Sequence, residues 1–479
     1  MQLKAKFGSL AVVLPALLLL TGVQAQGAIR NEFVERGEFI QIPGPNPILK
    51  PGPAGQWNDR IMETADAFKH VGVYYLYYHG AGTNNGYRVG LATATNPLGP
   101  FKEYGDKPVL DVGPSGSWES HHVACAMVME GEDKFYMWYS AAGNDPKYHG
   151  WCLGFATAPH PQGPWTKHEG NPIWTGTEGR GGYLGGVVKV EDKFYFYQEY
   201  PISDQYPISD DGYKDDYGPM ALFTADSSQG PLVPYSGNPI LTKGELGEWD
   251  NGGISEAEVL YHSGIFHMFY GATKLHGPRL ECIGYAYSFD GFNWNKYSMN
   301  PIATRYANPN AASFSEVHAI IESPFIYLYH TLRYRDYKGQ KFPSLKYENL
   351  GIQVLAMQKP FSLDMPVLQR DVLKAGQITQ LADCPPISLK QVKQVSLTAS
   401  CSYAPKARKP IRISVLSSPN GLDFDTADYA VFDNDLKKGQ TAQKTYNMQA
   451  GINFFKVIVE NQDQSEKVSD LVISATLGG

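Results

Sequence analysis

The run Phe135-Tyr136-Met137-Trp138-Tyr139-Ser140 is followed by Cys152-Leu153-Gly154-Phe155-Ala156-Thr157-Ala158, then by Gly163-Pro164-Trp165 and Asn171-Pro172-Ile173-Trp174. Aromatic and β-branched residues favour strands, and the Gly and Pro positions mark where a strand ends. Trp118-Glu119-Ser120 and the apolar stretch Val123 to Met129 precede the run, so one unit holds four short strands. The aromatic strand recurs at Tyr74 to Tyr78, Phe194 to Tyr197, Phe266 to Tyr270 and Ile326 to Tyr329, at intervals of about 60 residues. The five copies run from Trp57 to about Asp106, from Trp118 to Trp174, from about Gly181 to Gly237, from Trp249 to Met299 and from about Ser313 to Asp364. Four-stranded sheets repeated at this period hide their edges by closing radially. The expectation is an all-β chain with a five-bladed β-propeller over 26–375. An additional Asn46-Pro47-Ile48-Leu49 matches the linkers between later copies.

After Leu368 the repeat stops. Alternating segments such as Val392 to Ala399, Ile411 to Leu416 and Phe454 to Val459 are separated by turn signals at Pro419-Asn420-Gly421 and Gln462-Asp463. This pattern predicts a small C-terminal β-sandwich over 385–479. It carries no aromatic cluster, which favours a buttressing role over sugar binding. At the other end, Lys4 and Lys6 precede the apolar run Leu10 to Leu20 and Val23-Gln24-Ala25. That order is a secretory signal over 1–25, too short for a membrane span, and the expected location is secreted or periplasmic. Export permits disulfides, and Cys384 with Cys401 is the pair closest in sequence outside the repeats. Cys125, Cys152 and Cys282 read as buried strand residues.

The net charge of −7, with Lys and Arg scattered, gives no footprint for nucleic acid. Sequence does not fix the oligomeric state. There is no nucleophile-elbow serine motif, zinc-protease helix motif, phosphate loop or Cys-x-x-Cys pair. In a propeller the innermost strands line the channel. Those segments are Glu63-Thr64-Ala65-Asp66, His121-His122-Val123-Ala124, Leu184-Gly185-Gly186, Ser255-Glu256-Ala257-Glu258 and Ser315-Glu316-Val317-His318. Asp66, Glu256, Glu258, Glu316 and His318 are costly there without partners or a task.

On the blade repeat, the Trp57-Asn58-Asp59 opening and the Ser255-Glu256-Ala257-Glu258 strand, residues Asn46 to Leu368 resemble the five-bladed propeller glycoside hydrolases. That superfamily includes arabinanases, xylosidases, fructosidases, mannoside phosphorylases and neoagarobiose hydrolases. The resemblance implies a first-blade carboxylate as base or nucleophile, a later Glu as general acid and a third carboxylate that tunes the acid. By position these are Asp66, Glu256 and Glu316, with Glu258 or Glu199 as alternatives for the third. Blade two departs from the pattern with Val123-Ala124-Cys125, and blade three with Gly185-Gly186. Glu63 competes with Asp66, because one residue of register exchanges the faces of a strand.

Glu258, His318, His121, His122, Arg60 and Arg333 are candidates for substrate binding, as is Arg335. The neoagarobiose-hydrolase branch implies a His sharing the proton work. Asp59 shares a repeat element with Glu119 and Asp250, which suits a blade latch. No cofactor is required, and no dense metal-ligand spacing is present. A structural calcium ion near the propeller axis, facing His318, is the one metal reading left open by the resemblance. The expected function is an exported, exo-acting glycoside hydrolase that cleaves a polysaccharide-derived oligosaccharide through paired carboxyls. Inserts at Asp204 to Tyr217 and Tyr306 to Ser313 are expected to wall its pocket. A lectin-like binding propeller and a mannoside-phosphorylase-like enzyme are the alternatives.

Overall fold

The computed structural model describes residues 39–83, 85–148, 150–176, 183–199, 219–273, 282–304, 313–336, 344–357 and 360–479. The secretory-signal segment and both inserts, apart from Ser313, lie outside the described residues. Among those described, the chain is built from strands, with one short 3-10 turn at Leu381–Asp383. No helix there is long and apolar enough to cross a membrane.

Five sheets follow one another, each ordered from the inside outward as the chain runs. Their inner strands are Ile61–His70, His122–Glu130, Leu184–Val190, Gly253–His262 and Ser313–Glu322. Each touches the next and the fifth touches the first, which closes the ring. The fifth sheet takes its outermost strand from the other end of the chain. Ile40–Pro43 pairs antiparallel with Ser344–Ala356, Ile40 opposite Ala356. The expected fifth copy ran to Asp364, but Ser362–Leu373 pairs with Val468–Gly478 in a C-terminal sheet instead.

The repeat has a packing cause. In three blades a Trp lies against the last Tyr of the aromatic strand: Trp57 on Tyr78, Trp118 on Tyr139 and Trp249 on Tyr270, with centroids 5.8, 6.1 and 5.8 Å apart. A Cβ on Gly90, Gly154 or Gly284 would come within 2.2, 2.3 or 2.5 Å of that tyrosine ring, so the third strand needs glycine there. The tyrosine hydroxyl then meets a polar latch. Tyr139 donates to Glu119 (2.9 Å), which Lys167 also reaches; Asp250 receives Lys296 at 2.6 Å. Blade one inverts the polarity, with Asn58 Nδ2 and the Tyr78 hydroxyl both donating to Glu103. The latch residue is thus Asn58, one before the expected Asp59, which instead accepts from the Gly55 and Thr83 amides of its loop.

Two four-stranded sheets form the C-terminal sandwich. Gln394–Tyr403 alternates strictly, burying every second residue from Val395 to Tyr403, as a sheet with one packed face must. The sandwich core is continuous with Ile40, Ile42, Leu350 and Ile352 of blade five, so the closing strand is covered on its far side. The expected Cys384–Cys401 bridge is absent. Both are buried thiols with separate partners: Cys384 Sγ accepts from the Val457 amide and Cys401 Sγ from Asn434 Nδ2. Each is held by the sheet on which it packs.

Candidate active site

All five inner strands break register at the same level. The breaks fall between Thr64 and Asp66, Ala124 and Met127, Leu184 and Gly186, Ser255 and Glu258, and Ser315 and His318. Such a bulge leaves its extra residue unpaired and re-aims the neighbours. Cys125 and Glu316 occupy it with φ of 48° and 42°, a left-handed conformation unfavourable to side chains with a Cβ. In blade one the consequence decides a register question. Glu63 opposes His79, Thr64 opposes Tyr78 and Asp66 opposes Tyr77, so skipping Ala65 brings Glu63 and Asp66 to the same face.

The residues just after the bulge are Asp66, Met127, Gly186, Glu258 and His318. Three of the five form a buried group whose ligand-type atoms lie within 4.8 Å of one another. Asp66 accepts from the Ala67 amide (2.8 Å) and, across blades, from the Val128 amide (2.6 Å). Glu258 accepts from the Ala319 amide of blade five. Burial, then the nearby Glu258, pushes the Asp66 carboxyl up to about 7, and burial pushes Glu258 well above its usual range. Burial also pushes His318 down to about 4, and its Nδ1 approaches Glu258 to 3.5 Å. Blade three has no room for a fourth member, since a Cβ on Gly186 would lie 2.8 Å from the Val259 amide nitrogen of blade four. Below this level the channel opens into a cavity of about 560 Å³, walled by residues such as Phe68, Met127, Val188, Leu260 and Ile320.

Before the bulge stands a different, charged group. Arg333 Nη2 donates to Glu63 (3.0 Å) and to Glu316 (2.6 Å), while its Nε donates to Glu348 (2.8 Å). Glu63 also takes a 2.8 Å hydrogen bond from His79 Nε2, and the Cys125 amide donates to His79 Nδ1 at 3.5 Å. Burial would raise Glu63, but the His79 hydrogen bond and the Arg333 charge outweigh it and hold the carboxyl well below the usual range. Burial and the charge on Glu63 push Glu348 the other way. One guanidinium therefore gathers three carboxyls, of which Glu63 is pushed down and Glu348 up from the usual range.

Other expected residues scatter around these two groups. His121 and His122 lie at the start of the blade-two strand with rings 4.2 Å apart, His121 exposed and His122 half-buried. Arg60 sits just before blade one, its carbonyl accepting from the Glu348 amide. Glu256 is on the blade-four strand, inside the bulge, but its side chain and that of Arg335 fall outside the described residues. Glu199 is buried on the second strand of blade three, its amide bonded to the Tyr183 carbonyl. The structure brings Asp66, Glu258 and His318 together, and separately Glu63, Glu316 and Arg333.

His79 and Glu348 went unnoticed in the sequence. His79 stands where blade two has Ser140 and blade five has Thr331, so aligning the second strands, as was done for the inner ones, would have exposed it. Glu348 lies directly across from Arg333, on a strand the repeat does not mark.

No protein-family model matches the chain, and no curated protein matches it. Solved structures do. The family 117 glycoside hydrolase Zg3597 from the marine bacterium Zobellia galactanivorans is 15% identical over 68% of this chain and 92% of its own, with a TM-score of 0.47. A thermostable family-43 glycoside hydrolase is 20% identical over 63% of this chain and 91% of its own, at 0.45. The Bombyx mori GH32 beta-fructofuranosidase BmSUC1 is 11% identical over 97% and 98%, at 0.44. These neighbours are glycoside hydrolases, the group the sequence resembles. At such identities and TM-scores they decide nothing about what this chain does.

Proposed function

We propose that the chain is an exported glycoside hydrolase acting on polysaccharide-derived oligosaccharides, with its reaction centre at the Glu63 end of the propeller channel. The observation that carries this reading is the cluster of three buried carboxyls on one guanidinium, with Glu63 bonded to both His79 and Arg333 and pushed well below the usual carboxylate range. Glycosidic cleavage through an oxocarbenium-like transition state requires one ionised carboxylate and one carboxyl able to give a proton. We assign the ionised role to Glu63 in place of Asp66, because the partners of Glu63 are a guanidinium and an imidazole that favour its charge, whereas Asp66 has backbone amides and its carboxyl is pushed up to about 7. Glu256 keeps the acid role it has by sequence position. Glu316, on the same guanidinium nitrogen as Glu63, is the third carboxylate. Incubating the mature protein with plant and algal oligosaccharides and mapping products tests the reading. Release of single sugars from one end is the expected result, whereas binding without turnover of any glycan would favour the lectin-like alternative.

We also assign the cation left open by the sequence to Asp66, Glu258 and His318. Its support is the buried donor set and the His318 Nδ1, which is buried without a hydrogen-bond partner. Asp66 and Glu258 would hold the ion through oxygen and His318 through nitrogen, tying three inner strands together. Calcium or manganese chloride is expected to raise Tm above its value in EDTA, and Asp66→Asn to remove the increment. Equal Tm values in metal and EDTA for the wild type would dismiss the assignment.

A further inference from the structure

From Glu63 a line of aromatic rings leads outward across three blades. His79, which bonds Glu63, meets the Tyr87 ring edge-on at 4.9 Å. Tyr87 lies 5.3 Å from His122, His122 lies 5.4 Å from Trp151 and Trp151 lies 4.9 Å from Tyr183. None of the last four belongs to the buried aromatic strands of the repeat. Tyr87 and Trp151 stand at the same place in successive blades, one residue before the third strand, and Tyr183 stands one residue before the inner strand of blade three. All four are half-buried, whereas the strand aromatics Tyr77, Trp138 and Tyr197 are fully buried.

The line is also held in place. Tyr87 N donates to His122 Nδ1 (3.1 Å) and the Tyr87 carbonyl accepts from the Val123 amide (3.0 Å), which pins the blade-one loop to blade two. Gly86 permits that approach, since a Cβ there would come within 2.1 Å of the His121 carbonyl oxygen. Burial, then His121, pushes the His122 ring down to about 4, so it is an uncharged ring at neutral pH. On the opposite side, blade five supplies charge, through Arg333, Glu316 and Glu348. The channel mouth is thus aromatic on blades one to three and ionic on blade five. An ordered row of half-buried rings leading away from a carboxylate suits flat apolar sugar faces, whose hydroxyls remain free to meet water at their edges.

We propose that Tyr87, His122, Trp151 and Tyr183 form a stacking track for the sugar rings next to the one cleaved, so that the substrate is an oligosaccharide gripped along blades one to three. The proposal rests on Glu63 as the reaction centre. Trp151, in the middle of the track, is the residue to change. Glycosyl fluorides fill only the reacting position and have a leaving group too small to reach the track. Xylo-, manno-, cello-, arabino- and agaro-oligosaccharides of two to six units extend onto it.

Trp151→Ala is expected to lower kcat/KM about tenfold on the longer oligosaccharides, mainly through KM, and to leave the matching glycosyl fluoride unchanged. Trp151→Phe should recover most of the loss, which separates lost stacking from a damaged fold. Equal losses on fluoride and oligosaccharide, or no loss on either, would overturn the track. Calorimetric titration of the Glu63→Gln protein with the same oligosaccharides separates the track from the catalytic reading. Binding weakened by adding Trp151→Ala upholds the track even if the wild type turns nothing over, and binding indifferent to Trp151 refutes it.

Discussion

Glu63→Gln is expected to lower kcat by about a thousandfold or more while the protein stays folded. The amide is nearly isosteric and can still accept from His79 or Arg333, but it can neither attack carbon nor take a proton from water. Only the charge the reaction needs is lost. The loss should be the same for every leaving group, because the ionised carboxylate works on the sugar and not on the departing oxygen. Glu256→Gln should behave differently. A protonating acid matters most for a basic leaving group, so that variant should fail on oligosaccharides yet still release fluoride from a glycosyl fluoride. Steady-state rates on both substrate types, with circular dichroism to certify folding, check both claims. Near wild-type turnover by Glu63→Gln would remove Glu63 from the chemistry and return the role to Asp66.

Arg333→Met is expected to destabilise the fold by about 3–5 kcal/mol at neutral pH, the usual cost of leaving a buried charge without its partner. Arg333 holds three carboxyls, from the inner strands of blades one and five and the third strand of blade five. Its removal leaves Glu63 with His79 alone. The sign of the pH dependence follows from Glu63. In the wild type its folded pKa is depressed, so its contribution to stability is present above the unfolded value near 4.5 and is lost as pH falls through the folded value. In the variant only His79 still pulls the carboxyl down against burial, and the contribution shrinks. The gap between wild type and variant should therefore widen as pH rises toward about 4.5 and stay open above it. Adding Glu63→Gln to Arg333→Met should recover part of the loss. Urea unfolding at several pH values measures this, and a gap independent of pH would mean that Arg333 acts through packing alone.

The repeat made the propeller legible because its causes are local. A tyrosine needs a glycine beneath it and a tryptophan beside it, and those spacings show in any one copy. The site was legible as a set of residues but not as an arrangement. Asp66, Glu256, Glu258, Glu316 and His318 stood out because the repeat did not require them; Asp66, Glu258 and His318 meet in one group, Glu316 joins Arg333 in another, and the Glu256 side chain lies outside the described residues. Their division into two levels depends on a bulge of one or two unpaired residues, and hydrophobic patterning does not record it. Ala65 carries no mark of being skipped, yet it brings Glu63 to the same face as Asp66. The end of the fifth blade was hidden for another reason. Its last strand comes from residues 40–43, and a count of copies that moves forward along the chain cannot anticipate a partner supplied from the beginning.

That borrowed strand turns the ring into a clasp. Gln41 meets Gln353 across 312 positions of chain, and the loop between them holds every blade. Closing so long a loop costs conformational entropy that only the completed fifth sheet can offset. In a chain made from its first residue to its last, the hook of the clasp is made near the start and its eye nearly last. The ring can therefore shut only once every blade has been made, so no shorter piece of the propeller holds a finished channel.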